Sequence, residues 1–269
     1  STTHGAARIG HERQPRALAG YDQAHSLPLY HAINDRLAAL PGVQASSISS
    51  IVPFGTISME HNVRRAGIAV APDAHPATAA EGLSVSARWT SVGADYFTAM
   101  GLPLLRGRPF HAAEADIAGA PSVAIIDDVL AKKLFPDGDP LGERLQWADR
   151  ESPSGPDAKT VEIVGIVPAT RWNLFKEPKG AIYVPFAQGF HSNAFFHIRT
   201  AAPLPAGDHA FFELIRREIR EVAPALPLFS VKTFPQHLDT SVQLWIVRTG
   251  ATLFGVFGAI ALLLAVVGI

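Results

Sequence analysis

Residues 28–51 read PLYHAINDRLAALPGVQASSISSI, and this stretch decides the fold class. Leu29, Ile33, Leu37 and Leu40 recur at 4-4-3 spacing, which puts them on one face of a helix starting near Pro28. Pro41-Gly42 stops that helix. Val43–Ile51 then alternates as a half-buried strand and ends at Pro53 and Gly55. Near the other end of the chain, residues 206–234 repeat the plan. Phe211, Ile215, Ile219 and Val222 have the same spacing, Pro224 breaks the helix, and Leu228–Thr233 reads as a strand. A short strand candidate precedes each helix, Ala6–Ile9 in one case and Ala194–Thr200 in the other. Any amphipathic helix shows a 4-4-3 stripe, so chance similarity stays open beside a true repeat. Two β-α-β units about 180 positions apart suggest a subdomain assembled from both chain ends.

The middle is rich in short strands. Leu83–Val92 alternates, Asp95–Met100 fits a short helix, and Gly101-Leu102-Pro103 breaks it. Ser122–Ile126 is a short apolar strand, and Asp127 or Asp128 can cap a helix running to Phe135. Val161–Val167 and Ile182–Phe186 are further strands, while Ala71–Gly82 and Asp149–Ala158 have loop composition. Short mixed elements of this kind indicate an α+β fold: a porter-like subdomain of two β-α-β units, an inserted strand-rich subdomain, and a C-terminal transmembrane helix. The expected division is 1–70 and 191–234 for the two halves of the first subdomain, 71–190 for the insertion, and 235–269 for a stalk and span.

The tail carries the strongest single signal. After Arg248 come 21 uncharged residues, TGATLFGVFGAIALLLAVVGI. As a helix they extend about 31 Å, against a hydrocarbon core of roughly 30 Å. Eleven Leu, Ile, Val or Phe residues from Leu253 to Ile269 supply on the order of −5 kcal/mol toward insertion. Thr233-Phe234-Pro235-Gln236 fits a capping box, and no proline follows it, so one continuous helix of about 35 residues is expected from the folded body into the bilayer. Trp245 and Arg248 stand where interfacial anchors belong. Ala251, Gly255 and Ala259 form a small-residue stripe that could pack on a neighbouring helix or simply reflect the composition of spans. The chain starts at Ser1 without a signal segment and stops inside the apolar run, so it is expected to be a piece of a longer membrane protein.

Composition excludes several function classes. The 269 residues include no cysteine, 48% hydrophobic and 17% charged residues, and 23 Lys+Arg balance 24 Asp+Glu. Disorder, a disulfide scaffold, a thiolate metal site and a basic nucleic-acid-binding surface are thereby set aside. No two glycines are two positions apart, so a dinucleotide fingerprint cannot occur, and neither a P-loop nor a G-x-S-x-G elbow is present. The 11 histidines are never closer than six positions, which leaves no local metal pair. His11-Glu12 lacks the second ligand of a zincin. Asp127-Asp128 reads as a cap, Asp137 and Asp139 as turn residues, and Glu114 with Asp116 as a solvated loop. Arg106-Gly107-Arg108 could bind an anion, although a strand edge or a local ion pair accounts for two charges more simply. No catalytic, cofactor-binding or metal residue is named.

The sequence V-x(3)-YF-x-x-MG-L-P-L-LRGR-x-F, from Val92 through Tyr96-Phe97, Met100-Gly101 and Leu104–Arg108 to Phe110, resembles the periplasmic core domain of MacB/FtsX-type ABC transporter permeases. Val123–Asp127, Leu134-Phe135-Pro136, Asp139–Gly142, Glu162–Val167, Glu177-Pro178 and Ile182–Phe186 follow in family order, and Arg36–Val43 is similar to the end of that domain's first helix. The nearest subgroup is the duplicated permeases that lack a fused ATPase. One departure is Pro168-Ala169-Thr170-Arg171, where relatives often carry Gly-Asp-Val-Arg. The resemblance implies a non-catalytic domain in the periplasm, held in the inner membrane. It further implies a cytoplasmic ABC ATPase subunit as partner, a homo- or pseudo-dimer of permease units, and in some cases a periplasmic adaptor. Its expected function is to couple ATPase-driven motion to cargo export or release, or to regulation of a periplasmic partner. The alternative is a membrane-anchored ligand-binding or sensor domain, which requires an apolar pocket; a periplasmic hydrolase requires a converging acid–base set.

Overall fold

A computed structural model describes residues 4–9, 23–68, 70, 76–117, 120–148, 159–173, 175–191, 194–202, 208–224 and 226–268. The His11-Glu12 pair and the expected 149–158 loop lie outside the described residues, as does the start of the 71–82 loop. The chain begins with β1 (His4–Ile9), α1 (Gln23–Ala38), β2 (Val43–Ser49), β3 (Glu60–Arg65) and β4 (Val85–Val92). It continues through α2 (Tyr96–Met100), β5 (Arg106–Gly107), α3 (Ala112–Asp116), β6 (Val123–Asp127) and α4 (Asp128–Leu134). After β7 (Arg144–Trp147), β8 (Thr160–Val167) and β9 (Ala181–Pro185) come β10 (Ala194–Thr200), α5 (His209–Val222) and β11 (Leu228–Thr233). Two helices close the chain, α6 (Phe234–Asp239) and α7 (Val242–Val267).

Four strands from the two ends of the chain lie in the order β11-β1-β10-β2. All three pairings are antiparallel, with α1 and α5 as the two crossovers of a split β-α-β arrangement. Both helices cover one face of this layer. Leu27, Tyr30, Ile33, Leu37 and Leu40 of α1 and its C-terminal turn meet Phe212, Ile215 and Ile219 of α5 over Ile48, Phe196, Ile198 and Val231. Arg36 ties the helices together on the outside, 3.1 Å from Glu218. The helix begins at Gln23, five residues before Pro28, and it is Phe212 rather than Phe211 that is fully covered on α5.

The remaining strands close on themselves. β4-β3-β7-β8-β6-β9 are neighbours in turn, and β9 returns to β4 through a parallel ladder from Arg88/Ala181 to Val92/Pro185. Each of the six strands sends at least one side chain into a shared core: Val63, Trp89, Leu145, Ile163, Ile126 and Ile182 among others, with Leu130 and Leu134 of α4 packed into it. Closure leaves this ring without a free edge. Asp127 caps α4 as expected, accepting the Leu130 amide at 2.8 Å.

β2 joins the layer to the ring through its last residue, Ser49, which pairs with Val92. The serine-rich strand departs from its expected half-burial: Ser46 through Ser50 are all buried. Small hydroxylated side chains allow two sheets to meet closely while bonding locally. Ser46 donates to Asn34 at 2.8 Å, Ser49 to the Ile51 carbonyl at 2.7 Å, and Ser50 accepts the Ser91 amide at 3.0 Å.

The expected continuous stalk is corrected here. The Thr233 capping box is present, with reciprocal Thr233/Gln236 bonds, but α6 ends after six residues. Thr240 terminates it, and Ser241 starts α7 afresh by accepting the Leu244 amide. Helix competition from Thr and Ser side chains breaks the rod without a proline. Helix α7 has 26 residues, a mean hydropathy of 2.4 over its most apolar window, and no residue of that window buried by the described chain; it is a candidate membrane span.

Candidate functional site at the base of the span

The loop after β2 runs Ile51-Val52-Pro53-Phe54-Gly55-Thr56-Ile57, and it lines two clefts that reach the first residues of α7. Phe54 has φ of +60°, a left-handed conformation that side-chain-bearing residues avoid at a cost of roughly 1–2 kcal/mol. Contacts from both sides hold it there. Its amide donates to the Trp172 carbonyl at 3.3 Å, beyond the end of β8. Its ring meets Phe234, the first residue of α6, edge-on at 6.3 Å between centroids. One residue earlier, the Pro53 carbonyl accepts from His237 Nε2 at 2.8 Å.

Two clefts flank this loop, and Val52, Phe54, Gly55 and Ile57 line both. The first, about 150 Å³, opens between the loop, the ring and the start of α7 and is walled by Glu60, Arg88, Trp172, Lys176 and Gln243. The second, about 160 Å³, lies toward Phe195, Ser230, His237 and Val242. Each is smaller than the roughly 300 Å³ at which small-molecule pockets begin. Two of the charges in the first cleft, Arg88 and Glu60, are satisfied internally. Arg88 donates to Ser58 at 2.8 Å and lies 5.2 Å from the Trp172 ring centroid. Burial pulls its pKa below the ordinary arginine value, while Glu60 opposes the shift. Burial pushes Glu60 up, but bonds from Lys179 at 3.3 Å and Ser86 at 3.1 Å outweigh it and hold the carboxylate below its usual range. Asp127, at the back of this cleft, is shifted upward by its burial.

The other candidate clusters serve the fold. Arg106 pairs with Asp139, and Arg108 grips Glu114 with two bonds of 2.9 and 2.7 Å. The basic cluster is thus a strand edge with two ion pairs. Glu114 is not in a solvated loop: α3 carries it, nine-tenths covered, and its carboxylate also accepts the His111 amide at 2.9 Å. Gly107 has φ of +81°, and a Cβ there would collide with the Val164 carbonyl of β8. Ser49 and His197 lie 2.7 Å apart and buried, yet the Ser49 hydroxyl spends its proton on the Ile51 carbonyl. His197 must then donate to Ser49, the reverse of what nucleophile activation needs. Among the described residues no three His, Asp or Glu side chains converge as a metal site.

The profile of the MacB-like periplasmic core domain matches residues 6–207. This chain belongs to that family. The MacB-like domain is also similar in fold to the periplasmic region of MacB from Actinobacillus actinomycetemcomitans, at 13% identity and a TM-score of 0.54, covering 89% of this chain and 94% of that one. A second similarity is to the extracellular domain of the ABC-type transporter YknZ from Gram-positive bacteria, at 15% identity and a TM-score of 0.48, over 84% and 100% of the two chains. No curated protein matches the chain. The family assignment and the mixed helix–strand fold agree with the sequence reading. This is the periplasmic-type domain of an ABC transporter permease, followed by one C-terminal apolar helix. Within it, Phe54 and His237 were not singled out from sequence, and Phe234 was read only as part of the capping box. Pro53 was legible only as a strand breaker, and the partnership with His237 spans 184 positions.

Proposed function

We propose that this MacB-like domain relays motion of permease helices in the inner membrane to a folded periplasmic body, driven by ATP hydrolysis in a separate cytoplasmic subunit. The result would be export or release of a cargo, or regulation of a periplasmic partner, in a homo- or pseudo-dimeric permease that in some cases engages an adaptor. The observation that carries this reading is the strained Phe54 loop, bonded on one side to α6 through His237 and on the other to the ring through Trp172. A displaced α6 cannot leave that loop unchanged. Small clefts on either side leave room for it to move without a ligand to bind, which favours relay over a sensor role. The break at Thr240–Ser241 makes the relay a jointed lever rather than a rod. The expected division of the chain is kept in this proposal with one adjustment: the first boundary moves from residue 70 to the 52–57 loop, because β3 pairs with β4 and β7 of the ring.

The test uses the intact permease copurified with its ATPase. Spin labels at Lys159, just before β8 of the ring, and at Glu221, on α5, are expected to change separation between nucleotide-free and ATP-bound states. In Phe54→Ala the ATPase turns over but the change is lost. A separation that never responds to ATP, or one that responds equally in Phe54→Ala, overturns the relay.

A further inference from the structure

The loop between β8 and β9 carries a large apolar side chain that the described residues leave mostly exposed. Phe175 is 58% exposed, and its position is fixed rather than accidental: its amide donates to Asn173 Oδ1 at 2.8 Å in a tight side-chain turn. Lys176 follows it and has no ion pair among the described residues, whereas its neighbours Arg171 and Lys179 are matched to Glu177 and Glu60. Asn173 and Lys176 share one cleft with Gln243, the second residue of α7. The loop that carries Phe175 therefore flanks the first turn of the candidate span. The same level of α7 presents Val242 and Trp245 at 58% and 63% exposure, with Arg248 one turn further. Aromatic rings flanked by free cations are the side chains that settle at a lipid–water boundary, the ring among the headgroup–acyl junctions and the ammonium on anionic headgroups.

We propose that Phe175 and Lys176 form a second membrane contact, resting this part of the β8–β9 loop on the lipid surface next to the point where α7 enters it. The proposal depends on α7 being a span, and its partner is the anionic lipid surface. A lipid contact on the ring side of the joint constrains the domain's tilt in addition to the hold that α7 supplies. The contact also sits on the wall of the cleft whose other wall is the Phe54 loop, so domain tilt and loop position become linked.

The chain has no cysteine, so single labels are simple to place within it. Phe175→Cys, Lys159→Cys and Phe257→Cys, each spin-labelled in the intact protein, are compared in vesicles of phosphatidylethanolamine and phosphatidylglycerol. The readout is accessibility to oxygen, which concentrates in lipid, against a nickel chelate, which stays in water. Position 257 is expected to read as immersed, 159 as aqueous, and 175 to give an oxygen-to-nickel ratio several-fold above 159. Adding Lys176→Glu is expected to lower the ratio at 175 when phosphatidylglycerol is present. If 257 is immersed while 175 reads like 159, the lipid contact is wrong and the span stands. Low accessibility of 175 to both reagents means a protein covers it, which equally overturns the contact. An aqueous 257 removes the span and the inference together.

Discussion

His237 Nε2 and the Pro53 carbonyl oxygen are 2.8 Å apart, and they join the first helix after β11 to the loop after β2. A carbonyl can only accept, so the imidazole carries its proton on Nε2. Replacing His237 by Ala leaves that half-buried carbonyl without its donor, at a cost of about 1 kcal/mol. The more specific consequence is local. Hydrogen exchange at the Phe54 amide, which donates to Trp172, is expected to accelerate, together with that of Gly55, which donates to Val52. Amides of β6 and β8 should keep their protection; a uniform rise across the domain would mean that His237 supports general stability and not this loop.

The joint between α6 and α7 is bridged by Arg248, whose guanidinium bonds Asp239 at 2.8 Å across the break. Both side chains are exposed, so Asp239→Asn is expected to cost well under 1 kcal/mol. It should nonetheless loosen the angle between the helices. Distances between labels at Lys232 on β11 and Val256 on α7 are expected to broaden in Asp239→Asn and to shift in Ser241→Ala, which removes the cap that restarts the helix at a cost of about 1 kcal/mol. An unchanged, narrow distribution in both variants would show that the joint is held by other contacts.

Gly107 tests how the Leu-Arg-Gly-Arg segment works. Alanine there would have to adopt φ of +81° and push against the Val164 carbonyl and Gly165, both backbone groups of β8 that cannot swing aside. Left-handed strain alone costs about 1–2 kcal/mol, and displacing β5 from β8 adds to it. Gly107→Ala is therefore expected to lose at least ~2 kcal/mol in chemical denaturation. Leu105→Ala, at a side chain half exposed on the same segment, should lose much less.

Much of the fold was legible because its periodic elements are long. The α1 and α5 stripes, the β10 and β11 strands and the Asp127 cap all follow from local patterns that tertiary packing reinforced. β3 was hidden because Glu60-His61-Asn62-Val63-Arg64-Arg65 buries a single apolar side chain, Val63, among polar and charged neighbours. Four-residue β7 and two-residue β5 carry too little pattern to signal a strand; their identity comes from pairing with β8. The absence of proline after Gln236 suggested continuity, yet Thr240 and Ser241 stop the helix through their own side-chain bonds. The junction was unreadable for a different reason. Pro53, Phe54, Trp172, Phe234 and His237 lie on three distant segments, and only the closed ring and the split layer together bring them to one place.

Glu114 gives the domain a stability term with a defined pH dependence. Bonds from Arg108 draw its pKa below the ordinary 4.5, aided by the His111 amide and opposed by burial. A carboxylate with a lowered folded pKa binds its proton more readily in the unfolded chain. Its stabilising contribution is therefore complete above the unfolded value and lost as pH falls from about 4.5 through the folded pKa. In Arg108→Ala the nine-tenths covered carboxylate keeps only its amide donor, and the variant is expected to be about 1–2 kcal/mol less stable at neutral pH. Because the damage is an underpaired charge, protonating Glu114 removes it. Denaturation midpoints of Arg108→Ala and the parent protein should converge as pH drops below 4.5, and Arg108→Ala/Glu114→Gln should show a smaller deficit at neutral pH than Arg108→Ala alone. A deficit that stays constant from neutral to acidic pH would assign the role of Arg108 to packing of its aliphatic stem rather than to the charge it neutralises.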